Sequence, residues 1–333
     1  MPFRACRVFE APSGVEARIV SMDVEDLSPG EVLIRAHYSG INYKDALAVT
    51  GAGKILKTLP LNAGIDVAGE VETSADERFS PGDSVVANGM GLGESHDGGF
   101  AEYVRIPGDW LMPLPEGLSL RESMILGTAG FTAALCLQRM EHNGQRPDRG
   151  PIVITGASGG VGSLATSMFA ASGYEVIAVS GRPEQHPALR ALGASRVCSV
   201  EDLELGTRPL GKGLFGGAVD NVGGDLLARL LPHVALSGNV ACVGMAGGAE
   251  LAATVFPFIL RGVSLLGISS ANCPMELRRS LWQRLGSDLK PPSLDQIVSR
   301  TVALDAIVEA AGSLMQRRGH GRLLVQCSRP EAH

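Results

Sequence analysis

The stretch Pro151–Arg182, PIVITGASGGVGSLATSMFAASGYEVIAVSGR, constrains the fold more than any other segment, because its hydrophobic period changes twice within a short span. Ile152, Val153 and Ile154 form an unbroken apolar run, which suits a strand covered on both faces. Leu164, Met168 and Phe169 then recur at helical spacing, and a second apolar run spans Glu175 to Ser180. The sequence therefore reads as strand, tight turn, helix, strand. Ala157, Gly159 and Gly162 in the turn fit a dinucleotide fingerprint whose first glycine is replaced by alanine. Small residues there let the backbone approach a pyrophosphate seated on the helix N-terminus. A glycine-rich turn with a purely structural role is the alternative, and the strands on either side favour the nucleotide.

The end of the second strand selects the nucleotide. A site for NAD carries an acidic residue there to accept hydrogen bonds from the ribose 2′-hydroxyl. Ser180, Gly181 and Arg182 stand in that place. A hydroxyl and a guanidinium suit a 2′-phosphate, whose charge a carboxylate would repel, so NADPH is the expected cofactor. A solvated arginine after the strand is the plainer reading.

At 333 residues, with 45% hydrophobic content and 43 glycines, the chain is long enough for two domains, each with its own core. The formal charge of −6 and the lack of a Lys/Arg block argue against nucleic acid or an anionic membrane as partner. The N-terminal MPFRACRVFEAPSG has no apolar run of signal-peptide length, and Ile125–Leu137 is too short to span a bilayer. A cytoplasmic location is expected. The six cysteines are scattered without a CxxC pair, which predicts reduced, mostly buried thiols.

Residues 1–125 are rich in Gly, Pro and short alternating runs, among them EVLIRAHYSG, GIDVAGEVETS, GDSVVANG and GGFAEYVRI, which predict a β-rich domain. Over 126–265 strands near 152–155, 175–180, 217–220, 238–244 and 263–268 alternate with segments such as HPALRALGA and GDLLARLLPHVA. This predicts an α/β domain with a doubly wound parallel sheet. Residues 266–333, with MELRRSLWQRLGSDL, LDAIVEAAGSLMQRR and GRLLVQ, are expected to return to the first domain. A ligand in this architecture is expected in the interdomain crevice.

The segments SGINYKDALAVTG, GIDVAGEV, GTAGFTAALCL, TGASGGVGS, AVSGR and LGASRV, in this order, resemble the zinc-free, quinone-oxidoreductase-like branch of the medium-chain dehydrogenases and reductases. Within it they are most similar to members that reduce acryloyl-CoA. The resemblance spans essentially the whole chain. It implies a GroES-like catalytic domain, a Rossmann domain, NADPH, reduction of the acryloyl-CoA double bond to propionyl-CoA, and a homodimer formed through the strand GVSLLGI. It also implies that Tyr43, Ser158, Gly159, Gly160, Val161, Met245, Ile259 and Ser270 contact the cofactor. Family members can present a basic residue shortly after GASRV; here CSVED follows, and Arg196 is the substitute at hand.

Zinc-using relatives place a cysteine in the first of these segments and a His-Glu pair in the second, where this chain has Asn42, Ile65 and Asp66. Gly89–Trp110, the region of the structural-zinc lobe, contains no cysteine. No metal is therefore expected. His96, His142, His186, His233 and His320 lack HxxxH-type spacing and are expected at the surface or as caps. Without a Lewis acid, hydride addition to an activated C=C remains accessible, because a conjugated carbonyl accepts the enolate charge. Tyr43 is the leading catalytic residue, as a hydroxyl that can relay a proton; a packed aromatic is the alternative. Asn42 and Asp45 either take part or cap a helix. Lys44 is expected in solvent rather than on an anion. Arg278, Arg279 and Arg284 are expected on a solvated basic face, with CoA phosphates as the other reading.

Three other functions compete. A short-chain dehydrogenase shares TGxxxGxG, but here that motif begins at Thr155 and no tyrosine is followed four residues later by lysine. A quinone or enal reductase of the same fold differs mainly in lacking a CoA site. A non-catalytic NADPH-binding protein is the reading from another class.

Overall fold

A computed structural model describes residues 1–12, 14–316 and 319–328. The chain divides into two compact units: Met1–Thr128, Ala271–Ser287 and Ile297–His333 form the first, Ala129–Ser270 and Asp288–Gln296 the second.

In the first unit, β1 (Pro2–Ala11) and β2 (Gly14–Asp23) pair antiparallel along their whole length. Strand β3 (Val32–Ile41) runs directly into helix α1 (Tyr43–Thr50), and β4 (Leu61–Asn62) takes the free edge of β1. Next come β5 (Asp66–Ser74), β6 (Ser84–Asn88), β7 (Tyr103–Ile106) and β8 (Met112–Pro113). The alternation that marks these runs as strands turns Val32, Ile34 and Ala36 of β3 into the core, together with Val67, Val71 and Val85. Helix α2 (Leu120–His142) follows, interrupted at Gly127, where φ is 47° and ψ −151°.

The second unit contains β9 (Ile152–Ile154), α3 (Gly160–Ala171), β10 (Val176–Val179), α4 (His186–Ala191), β11 (Arg196–Cys198) and β12 (Phe215–Asp220). It continues through α5 (Gly224–Leu230), β13 (Val234–Cys242), α6 (Phe256–Arg261) and β14 (Ser264–Gly267). The six strands are parallel in the order β11-β10-β9-β12-β13-β14. The chain therefore leaves β9 in one direction across the sheet and resumes at β12 in the other. This is a topological switch point, the place where doubly wound sheets bind ligands.

The chain then supplies α7 (Met275–Leu285), β15 (Val298–Ala303), α8 (Ile307–Met315) and β16 (Arg322–Gln326) to the first unit. Strand β16 lies antiparallel to β3, with Leu323 opposite Ile41, and α8 packs on α1. Among the described residues no helix is long and apolar enough to cross a membrane.

Three side-chain expectations need correction. Arg278 does not lie on a solvated face: it is completely buried and donates to the carbonyl oxygens of Asn88 (2.8 Å) and Ala271 (3.2 Å). His96 and His233 are also buried rather than superficial. His96 sits between the carbonyls of Asp97 and Pro29 and edge-on to Trp110. Of the six free cysteines, five are buried and Cys242 is half-buried.

Candidate active site

Helix α1 begins where β3 ends, so the residue between them, Asn42, must be both the last extended position and the helix cap. Asn42 is extended (φ −101°, ψ 165°), and its N–H donates to Asp45 Oδ2 at 2.8 Å in a capping box. Asp45 has a second task. Its other oxygen accepts the N–H of Ile65 at 2.9 Å, which ties the helix start to the entry of β5. Tyr43 is the first helical residue and is 48% exposed, so its ring is not a packed core aromatic. Lys44, expected in solvent, is half-buried and pairs with Glu94.

Asn42 also opens a buried network. Its amide nitrogen donates to Asp45 (3.0 Å) and Asp66 (2.8 Å), and its carbonyl oxygen accepts from Arg322 at 2.9 Å. Arg322, the first residue of β16, donates further to the carbonyls of Ile125 and Met124 and lies 3.7 Å from Asp66. Asp66 also receives the N–H and hydroxyl of Thr128. Gly127 makes that possible: its left-handed φ turns the chain so that the Thr128 N–H points at Asp66, and a Cβ at Gly127 would stand 2.5 Å from Asp66 Oδ2. Sequence reasoning named Asn42, Asp45 and Asp66 but missed Thr128 and Arg322.

Two carboxylates and one guanidinium leave the cluster one negative charge in excess. Burial, with the Asp66 charge as the second cause, pushes the Asp45 carboxyl up to about 7, so a proton on Asp45 brings the cluster to neutrality. Burial lowers the Arg322 guanidinium from its usual value, against the attraction of Asp66 and Asp45. This donor set does not fit a tetrahedral zinc site. An amide and an alkyl chain replace thiolate and imidazole, and the Asp66 oxygens are already occupied by Thr128, Asn42 and Arg322.

In the second unit the turn after β9 is built for close approach. A Cβ at Gly162 would stand 2.6 Å from Ala157 Cα, so only glycine lets α3 lie this near the turn. The first bond into α3 is Ser163 N–H to Gly159 at 2.9 Å, which leaves the N–H groups of Gly160, Val161 and Gly162 ahead of the helical ladder, as an anion cradle requires. Ser180, nearly buried, places its hydroxyl 3.2 Å from that of Ser158 and accepts the N–H of Arg182. Ser158, Ser180, Gly181 and Arg182 thus form one rim, and open space lies where a Gly181 Cβ would point. Arg196 of the neighbouring strand is held by the Asp202 carbonyl at 2.7 Å. Met245 follows β13 and is 65% exposed, Ser270 follows β14, and Ile259 is exposed on α6. Asn221, just past β12, donates to the Thr155 carbonyl, while its buried Oδ1 has no protein partner among the described residues. That acceptor and the N–H groups at the start of α3 fit a dinucleotide, and no sequence signal singles out Asn221.

Two family models match the chain: the alcohol dehydrogenase GroES-like domain over residues 28–116 and the zinc-binding dehydrogenase model over 160–287. Acrylyl-CoA reductase AcuI of Ruegeria pomeroyi is 43% identical over 95% of this chain and 96% of its own. The chain belongs to the medium-chain dehydrogenase/reductase superfamily. The yhdH oxidoreductase of Salmonella enterica, solved in complex with NADP, is 44% identical with a TM-score of 0.94 over 98% of this chain and all of its own. YhfP of Bacillus subtilis, which carries a provisional quinone-oxidoreductase name, is 49% identical. Its structure, with NAD bound, gives a TM-score of 0.95 over 98% of this chain and 99% of its own. Within this superfamily the chain is an oxidoreductase whose Asn42, Ile65 and Asp66 depart from the zinc pattern.

Proposed function

We propose that the protein reduces the C=C bond of acryloyl-CoA to give propionyl-CoA, with NADPH as reductant and without a metal. The observation that carries the reading is Tyr43, a half-exposed tyrosine on a helix start fastened through Asn42 and Asp45 to the buried Asp66–Arg322 pair. The acrylyl-CoA reductase name of a relative 43% identical supports the substrate. Bound NADPH supplies a hydride to the β-carbon. The protein's own work is then to hold the thioester, favour charge on its oxygen and deliver a proton to the α-carbon. Tyr43 supplies or orients that proton. Asn42 and Asp45 are positioning residues: their side chains are spent on the cap and the buried network, and they fix where Tyr43 begins. Ser158, Gly159, Gly160 and Val161 cradle the pyrophosphate, Ser180, Gly181 and Arg182 meet the 2′-phosphate, and Met245, Ile259 and Ser270 line the nicotinamide.

The enzyme works in the cytoplasm as a homodimer joined at β14, one of the two edge strands of the six-stranded sheet. Incubation with NADPH and, in parallel, acryloyl-CoA, crotonyl-CoA and a quinone tests the reaction, read as loss of the reduced-nicotinamide absorbance. Fast loss with acryloyl-CoA is expected. A quinone reduced while the thioesters are inert selects the second reading, which the name of YhfP favours; no loss with any acceptor leaves a non-catalytic binder. Activity should persist after exhaustive chelation, and elemental analysis should find no stoichiometric zinc; one zinc per chain, lost together with activity, would contradict the metal-free mechanism.

A further inference from the structure

A groove of about 430 Å³ lies within the first unit, apart from the buried network. Its volume falls in the range of roughly 300–1,000 Å³ typical of small-molecule sites. Lys44, Glu94, Cys273 and Pro274 line it, Met90 and Met275 contribute apolar surface, and the exposed Lys57 adds a second ammonium. Lys44 immediately follows Tyr43 on the first turn of α1, so the groove starts one residue from the proposed proton donor.

The walls are braced from beneath. Arg278, buried on α7, donates to the carbonyls of both Asn88 and Ala271, and the Met90 N–H donates to Ala271 at 3.3 Å. Met90 itself is held at φ 59°, a left-handed conformation costly for a long side chain, and it lines the groove. Strain of this kind persists only where surrounding contacts impose it, and it concentrates at ligand sites. The charges are uneven as well. Lys44 neutralises Glu94, whereas Lys57 forms no ion pair among the described residues, which leaves one net positive charge in the lining.

We propose that this groove holds the phosphopantetheine arm of the CoA thioester, with Lys57 meeting the diphosphate. The assignment rests on the acyl-CoA reading above and adds its binding site. An arm with amides, methyl groups and a terminal anion matches a groove whose lining is partly thioether and alkyl and includes an exposed, unpaired ammonium. A quinone has no group for such a groove.

The test compares acryloyl-CoA with its N-acetylcysteamine thioester, which presents the same acyl group without phosphates. Lys57→Glu should raise KM for acryloyl-CoA about tenfold, the effect of roughly 1.4 kcal/mol, with kcat unchanged. The truncated thioester and NADPH should be handled as by the wild type. Ser95→Trp, which fills the groove from an exposed loop position, should act in the same selective way. Equal effects on both thioesters, or none on either, would overturn the groove assignment while the reaction stands. If neither thioester is reduced by the wild type and a quinone is, the reaction is wrong and the assignment falls with it.

Discussion

Tyr43 combines an exposed ring with a rigid origin, because the residue before it and the residue two places after it are both engaged in the buried network. Tyr43→Phe keeps the ring and deletes only the hydroxyl. A turnover loss of roughly 10²–10⁴-fold is expected if the hydroxyl is the general acid, with NADPH affinity little changed. Wild-type turnover would remove the hydroxyl from the mechanism, and an unchanged solvent isotope effect would show that it is not the donor. At the adenosine end, Arg182→Ala should weaken NADPH by about 1.5–3 kcal/mol, the range for hydrogen bonds to charged groups, and leave NADH nearly unaffected. Equal loss for both cofactors would contradict the 2′-phosphate assignment. This measurement matters because YhfP is known with NAD bound. Candidates for these sites that lie within one local motif can be read from the sequence. Arg322 cannot: 280 positions separate it from Asn42, and an arginine opening a strand has no distinctive spacing.

At the scale of elements, α1 is short, and its place depends on the cap as much as on packing. Asp45 accepts three hydrogen bonds there, and burial raises its carboxyl to about 7. An unfolded Asp titrates near 3.9, so the native state binds the extra proton between about pH 4 and pH 7. The stability that this proton contributes is therefore complete below the lower value and is lost as pH rises through the upper one. Urea midpoints should fall from pH 5 to pH 8 in the wild type, and Asp45→Asn should flatten that slope. A slope identical in both proteins would assign it to other groups. The element pattern itself shows why such features escape sequence reading. Long alternating or apolar runs predicted β3, β5 and five of the six parallel strands. The three-residue β11 is too short to establish a period, and the turn at Gly127 falls inside a helical pattern that gives no sign of Asp66 beneath it.

For the whole molecule, the order of periodicities in the chain carried the architecture. Alternating runs, then βα alternation, then a returning strand correspond to a seven-stranded sheet that β16 joins beside β3, with β15 beyond it, and a six-stranded sheet with its switch point between β9 and β12. What no periodicity states is which edges remain open. Strand β14 has one strand neighbour, β13, and no second strand pairs with it among the described residues, although the Gly267 carbonyl at its end accepts from Arg139 at 2.8 Å. Leu236, Val255, Phe256 and Leu260, large apolar residues on and beside the last crossover of that sheet, are all exposed. A Ser-Leu-Leu-Gly strand with apolar neighbours is prone to pair, and two-fold antiparallel pairing of β14 with a second copy would continue the sheet across both chains. The wild type should therefore sediment at twice the monomer mass. Val255→Glu combined with Leu260→Glu, which places charges beside that edge, should yield a folded monomer that retains its circular dichroism. A monomeric wild type, or a double variant that remains dimeric at low concentration, would show that another surface or none joins the subunits.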